Sequence, residues 1–166
     1  MSRPARPAGR FPSARRAAAA AVVTGAALVL TGCGGSSSAS SSGPDLKVTG
    51  AYMPAPSAGT MAAGFFTVAN SGDTADSLTS VTSGLADDIT LHSTEGGAMT
   101  EEKSFAVPAH GTLELSSGGN HLMFEKLAHT PEQGEKVSVE LHFAETGTVK
   151  ITMPVKSATY SPKTGH

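Results

Sequence analysis

The chain predicts an all-β domain, a sandwich or barrel of short strands. Three observations carry this. Period-two alternation recurs, most cleanly in Val137-Ser138-Val139-Glu140-Leu141-His142-Phe143. Breaker clusters punctuate the runs at Asn70-Ser71-Gly72-Asp73, Ser116-Ser117-Gly118-Gly119 and Thr146-Gly147. No segment of useful length between residues 45 and 156 keeps a helical period.

The elements follow in chain order. Arg3, Arg6, Arg10, Arg15 and Arg16 precede an apolar run, Ala17 to Leu30, too short to span a bilayer comfortably. Residues 1–32 therefore read as a signal peptide. It ends in Leu30-Thr31-Gly32-Cys33, which resembles the lipobox of bacterial lipoproteins. That resemblance implies cleavage before Cys33, lipidation of its sulfur, and a lipid anchor on the outer face of the cell membrane. Residues 33–44, mostly Ser and Gly, form a flexible tether. The β domain then occupies residues 45–156, and residues 157–166 read as a disordered tail.

Within the domain, Val48 to Tyr52 opens the strand series, and Phe65, Phe66 and Val68 mark a second strand. Leu78 to Val81 and Ile89 to His92 both alternate. Ala106-Val107 precedes Pro108, and Thr112 to Leu115 alternates again. His121 to Phe124, Val137 to Phe143 and Val149 to Met153 complete the series.

Charge and cysteine content narrow the function. All five arginines fall in the signal peptide, leaving seven lysines against 14 acidic residues, a formal charge of −7. An acidic surface argues against nucleic acid as partner. Cys33 is the sole cysteine, so no intramolecular disulfide forms and a lipidated domain holds no thiol. No Ser-His-Asp order, paired-carboxylate motif, Gly-rich phosphate loop or His-Glu-x-x-His occurs, and nothing supports an enzyme.

What stands out is a set of soft donors: His92, Met99, His121 and Met123. If Ile89 and Leu91 face inward, His92 faces outward. If Leu122 and Phe124 face inward, His121 and Met123 project together on the outer side. Met99 follows Gly96-Gly97, in what reads as a hairpin. Imidazole with thioether is a soft, neutral donor set that favours Cu(I) over zinc, magnesium or calcium. Scattered surface histidines and a loop methionine remain the bland alternative. His110 and His129 fall in turns, His142 on a solvated strand face, and His166 in the tail.

These residues, with the strand segments around them, resemble the periplasmic copper chaperone family called PCuAC across the whole domain. The resemblance implies a cupredoxin-like Greek-key β-barrel and a His…Met…His-x-Met copper site. Residue by residue, His92, Met99, His121 and Met123 take the four ligand positions. The 21 residues between Met99 and His121 agree with the family motif. The six between His92 and Met99 are fewer than is usual, so a three-ligand site without Met99 stays open. The other methionines of the domain, Met53, Met61 and Met153, lie outside that interval. By resemblance, the protein delivers Cu(I) to the copper A centre of cytochrome c oxidase (subunit II), alone or with a Sco-type protein. The alternatives are a copper-sequestering or scavenging lipoprotein without an oxidase partner, and a β-sandwich adhesion or substrate-binding lipoprotein.

Overall fold

The computed structural model describes residues 43–57 and 59–162. Residues 1–32, read as a signal peptide, Cys33, most of the segment read as a tether, and His166 lie outside the described residues. Ten strands run in the order β1 (Leu46–Pro54), β2 (Ala62–Asn70), β3 (Asp76–Ser83), β4 (Ala86–Glu95) and β5 (Ala98–Glu102). They continue with β6 (Phe105–Val107), β7 (Thr112–Leu115), β8 (His121–Leu127), β9 (Lys136–Phe143) and β10 (Gly147–Lys156). The described residues contain no helix.

Seven strands close on themselves in the order β4-β8-β2-β1-β10-β9-β3, with Ser83 pairing Ala86 to complete the ring. The short β1–β10 contact is parallel, and the other ladders are antiparallel, so the barrel is mixed. β5 extends the sheet beyond β4, β6 adds to β3, and β7 adds to β2. Four of the seven ring contacts join strands distant in sequence, through long crossing connections, the Greek-key habit. This is the cupredoxin-like barrel that the resemblance implied.

Alternation builds the core. In β9, Val137, Val139, Leu141 and Phe143 are buried while Lys136 and Ser138 are exposed. These side chains join Met53, Phe66, Leu78, Leu122, Phe124 and Met153 in one cluster. Each fully buried residue of this size contributes roughly 1.5–3 kcal/mol against leaving it in water. Gly64 is required at the centre. A Cβ there would stand 2.8 Å from the Phe124 ring and 3.1 Å from the Met153 sulfur.

Two devices shape the ends. Asn70, buried at the end of β2, accepts from the Asp45 and Gly72 N–H groups and donates to the Thr74 carbonyl. That side chain organises the turn read at Asn70 to Asp73. In β1, the register slips by one residue between Thr49 and Tyr52, where Gly50 takes φ +64°. The bulge seats Tyr52 opposite Phe65 on the outer face of the sheet.

The segment read as a tail is described as far as Pro162. Tyr160 packs edge-on against Tyr52 at 5.0 Å, and Lys156 Nζ lies 5.5 Å from the Tyr160 ring.

Candidate metal centre

β4 lies between β5 and β8, and its register decides which side chains meet. His92 pairs directly with His121, and Thr90 with Met123. On the other edge, His92 pairs with Glu101, and Thr94 with Met99. Residues directly opposed across antiparallel strands share a face, as do residues two apart along one strand. Met99, Glu101, His92, Thr90, His121 and Met123 therefore occupy one face. Leu91, Leu122 and Phe124, all buried, occupy the other and enter the core. The ladder brings all four sequence-predicted residues to the same side of a three-stranded patch.

The two imidazoles form the centre. Their rings stack with centroids 5.7 Å apart and planes 24° from parallel. Two imidazoles sharing one metal, with N–metal bonds of about 2 Å, have centroids roughly 5–6 Å apart. His121 Nδ1 lies 3.0 Å from the Gly119 carbonyl. A carbonyl only accepts, so Nδ1 carries the proton and Nε2 keeps its lone pair. His92 Nε2 shares a 2.9 Å hydrogen bond with the Thr90 hydroxyl. His92 Nδ1 is buried and has no hydrogen-bond partner in the protein. Leaving such an atom unpaired costs roughly 1–3 kcal/mol. A metal bound there would relieve that cost.

Exposure departs from the sequence reading in one respect. His121 faces away from the core as expected, yet only 6% of its surface is accessible. Phe65, with its ring centroid 6.5 Å away, and Tyr52, 5.1 Å beyond Phe65, build an aromatic wall on that side. Burial pushes the Tyr52 hydroxyl pKa up, with Tyr160 adding to the shift. Met123 and His92 are half-buried, whereas Met99 stands at the rim with 54% exposure. Met53 and Met153 are fully buried core residues.

The other described histidines lie elsewhere. His110 contacts Asp73 and His129 contacts Glu135, each at 2.9 Å, and His142 bridges Thr82 and Thr148. Among the described residues, no group of three or more His, Cys, Asp and Glu side chains is placed to hold a metal. Sequence reasoning missed Thr90 and Phe65, which orient and wall the imidazoles. Thr90 was open to discovery, because it stands two residues before His92 on the same strand face.

A family model described as "Putative lipoprotein LpqE-like" matches residues 46–155. "Putative lipoprotein Lxx21020" of Leifsonia xyli subsp. xyli (strain CTCB07) is 38% identical over 116 residues, covering 67% of this chain and 69% of that protein. The copper-bound PCuAC domain from PmoF2 superposes with a TM-score of 0.61 at 23% identity, over 68% of this chain and 92% of that one. The solution structure of CuI-DR1885 from Deinococcus radiodurans gives 0.57 at 28% identity, over 66% and 77%. The apo PmoF2 domain gives 0.62 at 22%, over 69% and 92%.

Proposed function

The chain belongs to the LpqE-like lipoprotein family and has the PCuAC fold, and from that premise we propose that it is a copper chaperone of the cell envelope. It binds Cu(I) through His92, Met99, His121 and Met123. The observation that carries this reading is the direct cross-strand pairing of His92 and His121, with the buried, unpartnered His92 Nδ1 between β5 and β8. Copper-bound relatives of the same fold support it.

The chemistry suits a cargo metal. Neutral imidazole and thioether ligands satisfy a soft, closed-shell ion without adding charge. Thioethers take up no proton in the relevant range. With no thiolate among the ligands, copper is held without the strongest anchor and stays exchangeable. Met99 at the rim offers an accessible ligand, while His121 is walled in by Phe65. An incoming acceptor therefore meets Met99 before it meets the imidazoles.

Cys33, lipidated and left as the first mature residue by removal of residues 1–32, tethers the domain to the outer face of the membrane. From there it delivers copper to the copper A centre of cytochrome c oxidase, alone or with a Sco-type protein.

X-ray absorption on the Cu(I)-loaded chain tests the ligand set. Mixed nitrogen and sulfur scattering is expected, and a shell of nitrogen and oxygen alone refutes it. Oxidase activity in a deletion strain grown at low copper tests delivery. Unchanged activity would favour a sequestering role instead.

A further inference from the structure

A third thioether extends the metal face. Met61 immediately precedes β2, whose residues Ala62 and Ala63 pair with Phe124 and Met123. Just beyond Met61 the Leu127 N–H donates to the Thr60 carbonyl at 3.2 Å, one residue out of the Ala62–Phe124 register, where Lys126 takes φ +54°. Ala62 is buried, so alternation turns Met61 to the outer face, the one that carries Met123. Its exposure is 54%, equal to that of Met99, whereas Met53 and Met153 are fully buried. Methionine normally fills core space, and packing gives no account of this one.

Extending the register places Met61 in line with Glu125, which pairs with Asp88. The face then carries soft donors in successive rows: Met99, the His92–His121 pair, Met123, and Met61. Met61 and Met123 are diagonal neighbours, roughly 7–8 Å apart between backbones and within joint reach of two long side chains. The imidazole row is four residues away along β8, about 13 Å. Met61 can therefore share an ion with Met123 but not with the histidines. Glu125 adds negative charge that draws a cation to this end, while Asp88 is paired with Lys126 at 3.7 Å.

We propose that Met61 is an exchange ligand, binding Cu(I) together with Met123 as the ion enters or leaves the imidazole site. The inference rests on the copper reading above. The step is a substitution of neutral ligands at an ion whose oxidation state does not change. On the way out, the bonds from the metal to the His92 and His121 nitrogens and to the Met99 sulfur break while the bond to Met123 is kept. A bond to the Met61 sulfur then forms, so the ion passes between two thioethers; entry runs in reverse.

The whole chain, labelled with 13C at its methionine methyl groups, tests this by titration with Ag(I), a redox-inert stand-in for Cu(I). Met61→Leu and Met123→Leu assign the signals. Movement or broadening of the Met61 methyl together with that of Met123 is expected. In parallel, withdrawal of Cu(I) by bathocuproine disulfonate should slow at least threefold in Met61→Leu, with equilibrium affinity within twofold of the parent. A silent Met61 methyl, or an unchanged withdrawal rate, overturns the exchange role and leaves the copper reading standing. A tenfold loss of affinity in Met61→Leu overturns it too, because Met61 would then be a resident ligand. Silence of the Met99 and Met123 methyls as well defeats the copper reading itself.

Discussion

At His92 the protein leaves a buried ring nitrogen without a protein partner and fastens the other nitrogen to Thr90. Thr90 thereby orients the ring and leaves Nδ1 as the atom free to bind. Groups that hold a metal-binding histidine from behind usually matter by 10–100-fold in metal affinity. Thr90→Val keeps the shape and the strand propensity but removes the hydroxyl. Cu(I) competition titration should show affinity at least tenfold weaker, while thermal melting moves little, since one partly buried hydrogen bond contributes about 1 kcal/mol. Combining Thr90→Val with His92→Ala should add nothing further to the loss, because the hydroxyl acts only through that ring. The His-x-Met pair was legible in the chain because period two is a local rule. The burial of His121 was not, since Phe65 reaches it from β2 and is itself backed by Tyr52, set in place by the β1 bulge at Gly50. Side chains arriving from remote strands leave no trace near residue 121.

The hairpin of β4 and β5 explains how a short interval still delivers a thioether. Gly96 and Gly97 both take positive φ, 57° and 85°, between the paired residues Glu95 and Ala98. A two-residue turn with two positive φ values is the type I′ geometry that matches strand twist. It returns Met99 opposite Thr94, one row from His92 on the same face. Six intervening residues are therefore enough. Exchanging neighbours, Met99→Thr with Thr100→Met, preserves composition but moves the thioether to the opposite face. If Met99 is a ligand, the exchanged chain should lose as much Cu(I) affinity as Met99→Leu does, about tenfold or more. Equal affinity in the parent, the exchanged chain and Met99→Leu would leave a three-ligand site. The turn was readable from its two glycines. β5 was not assigned as a strand, because Met99-Thr100-Glu101-Glu102 is polar and lies beyond the closed ring, where no core face imposes alternation.

On the scale of the whole molecule, strand existence was local information, but ring order was not. Closure depends on pairings such as β4 with β8 and β1 with β10, whose partners no short window contains. Attachment is also a property of the whole chain. Cys33→Ala should release the protein from the membrane fraction or block its maturation, and unchanged fractionation would contradict lipidation. Closure itself has a visible electrostatic pin. Asp76, buried at the start of β3, reaches the turn between β9 and β10. Burial alone would push its carboxyl up. Hydrogen bonds from the Thr146 hydroxyl and from the N–H groups of Glu145, Ser77 and Thr146 outweigh that and hold it below the usual carboxylate range. Glu135 and Glu140 are lowered as well, by His129 and Lys150, but at the surface, where such pairs contribute little. The sign for Asp76 follows from linkage. The folded state keeps the carboxylate ionised to lower pH than the unfolded chain does. Its contribution is therefore complete above the unfolded carboxylate range, and is lost as pH falls through the depressed folded value. Asp76→Asn discards the charge and one acceptor, at a cost of about 2–4 kcal/mol at neutral pH. Thermal melts should show a Tm lower by on the order of 10 °C at pH 7. The gap between parent and variant should narrow as pH is taken to the acid side of the carboxylate range, because the parent carboxyl is then protonated as well. A gap that stays constant with pH would mean that the charge of Asp76 does not hold the β9–β10 turn against β3.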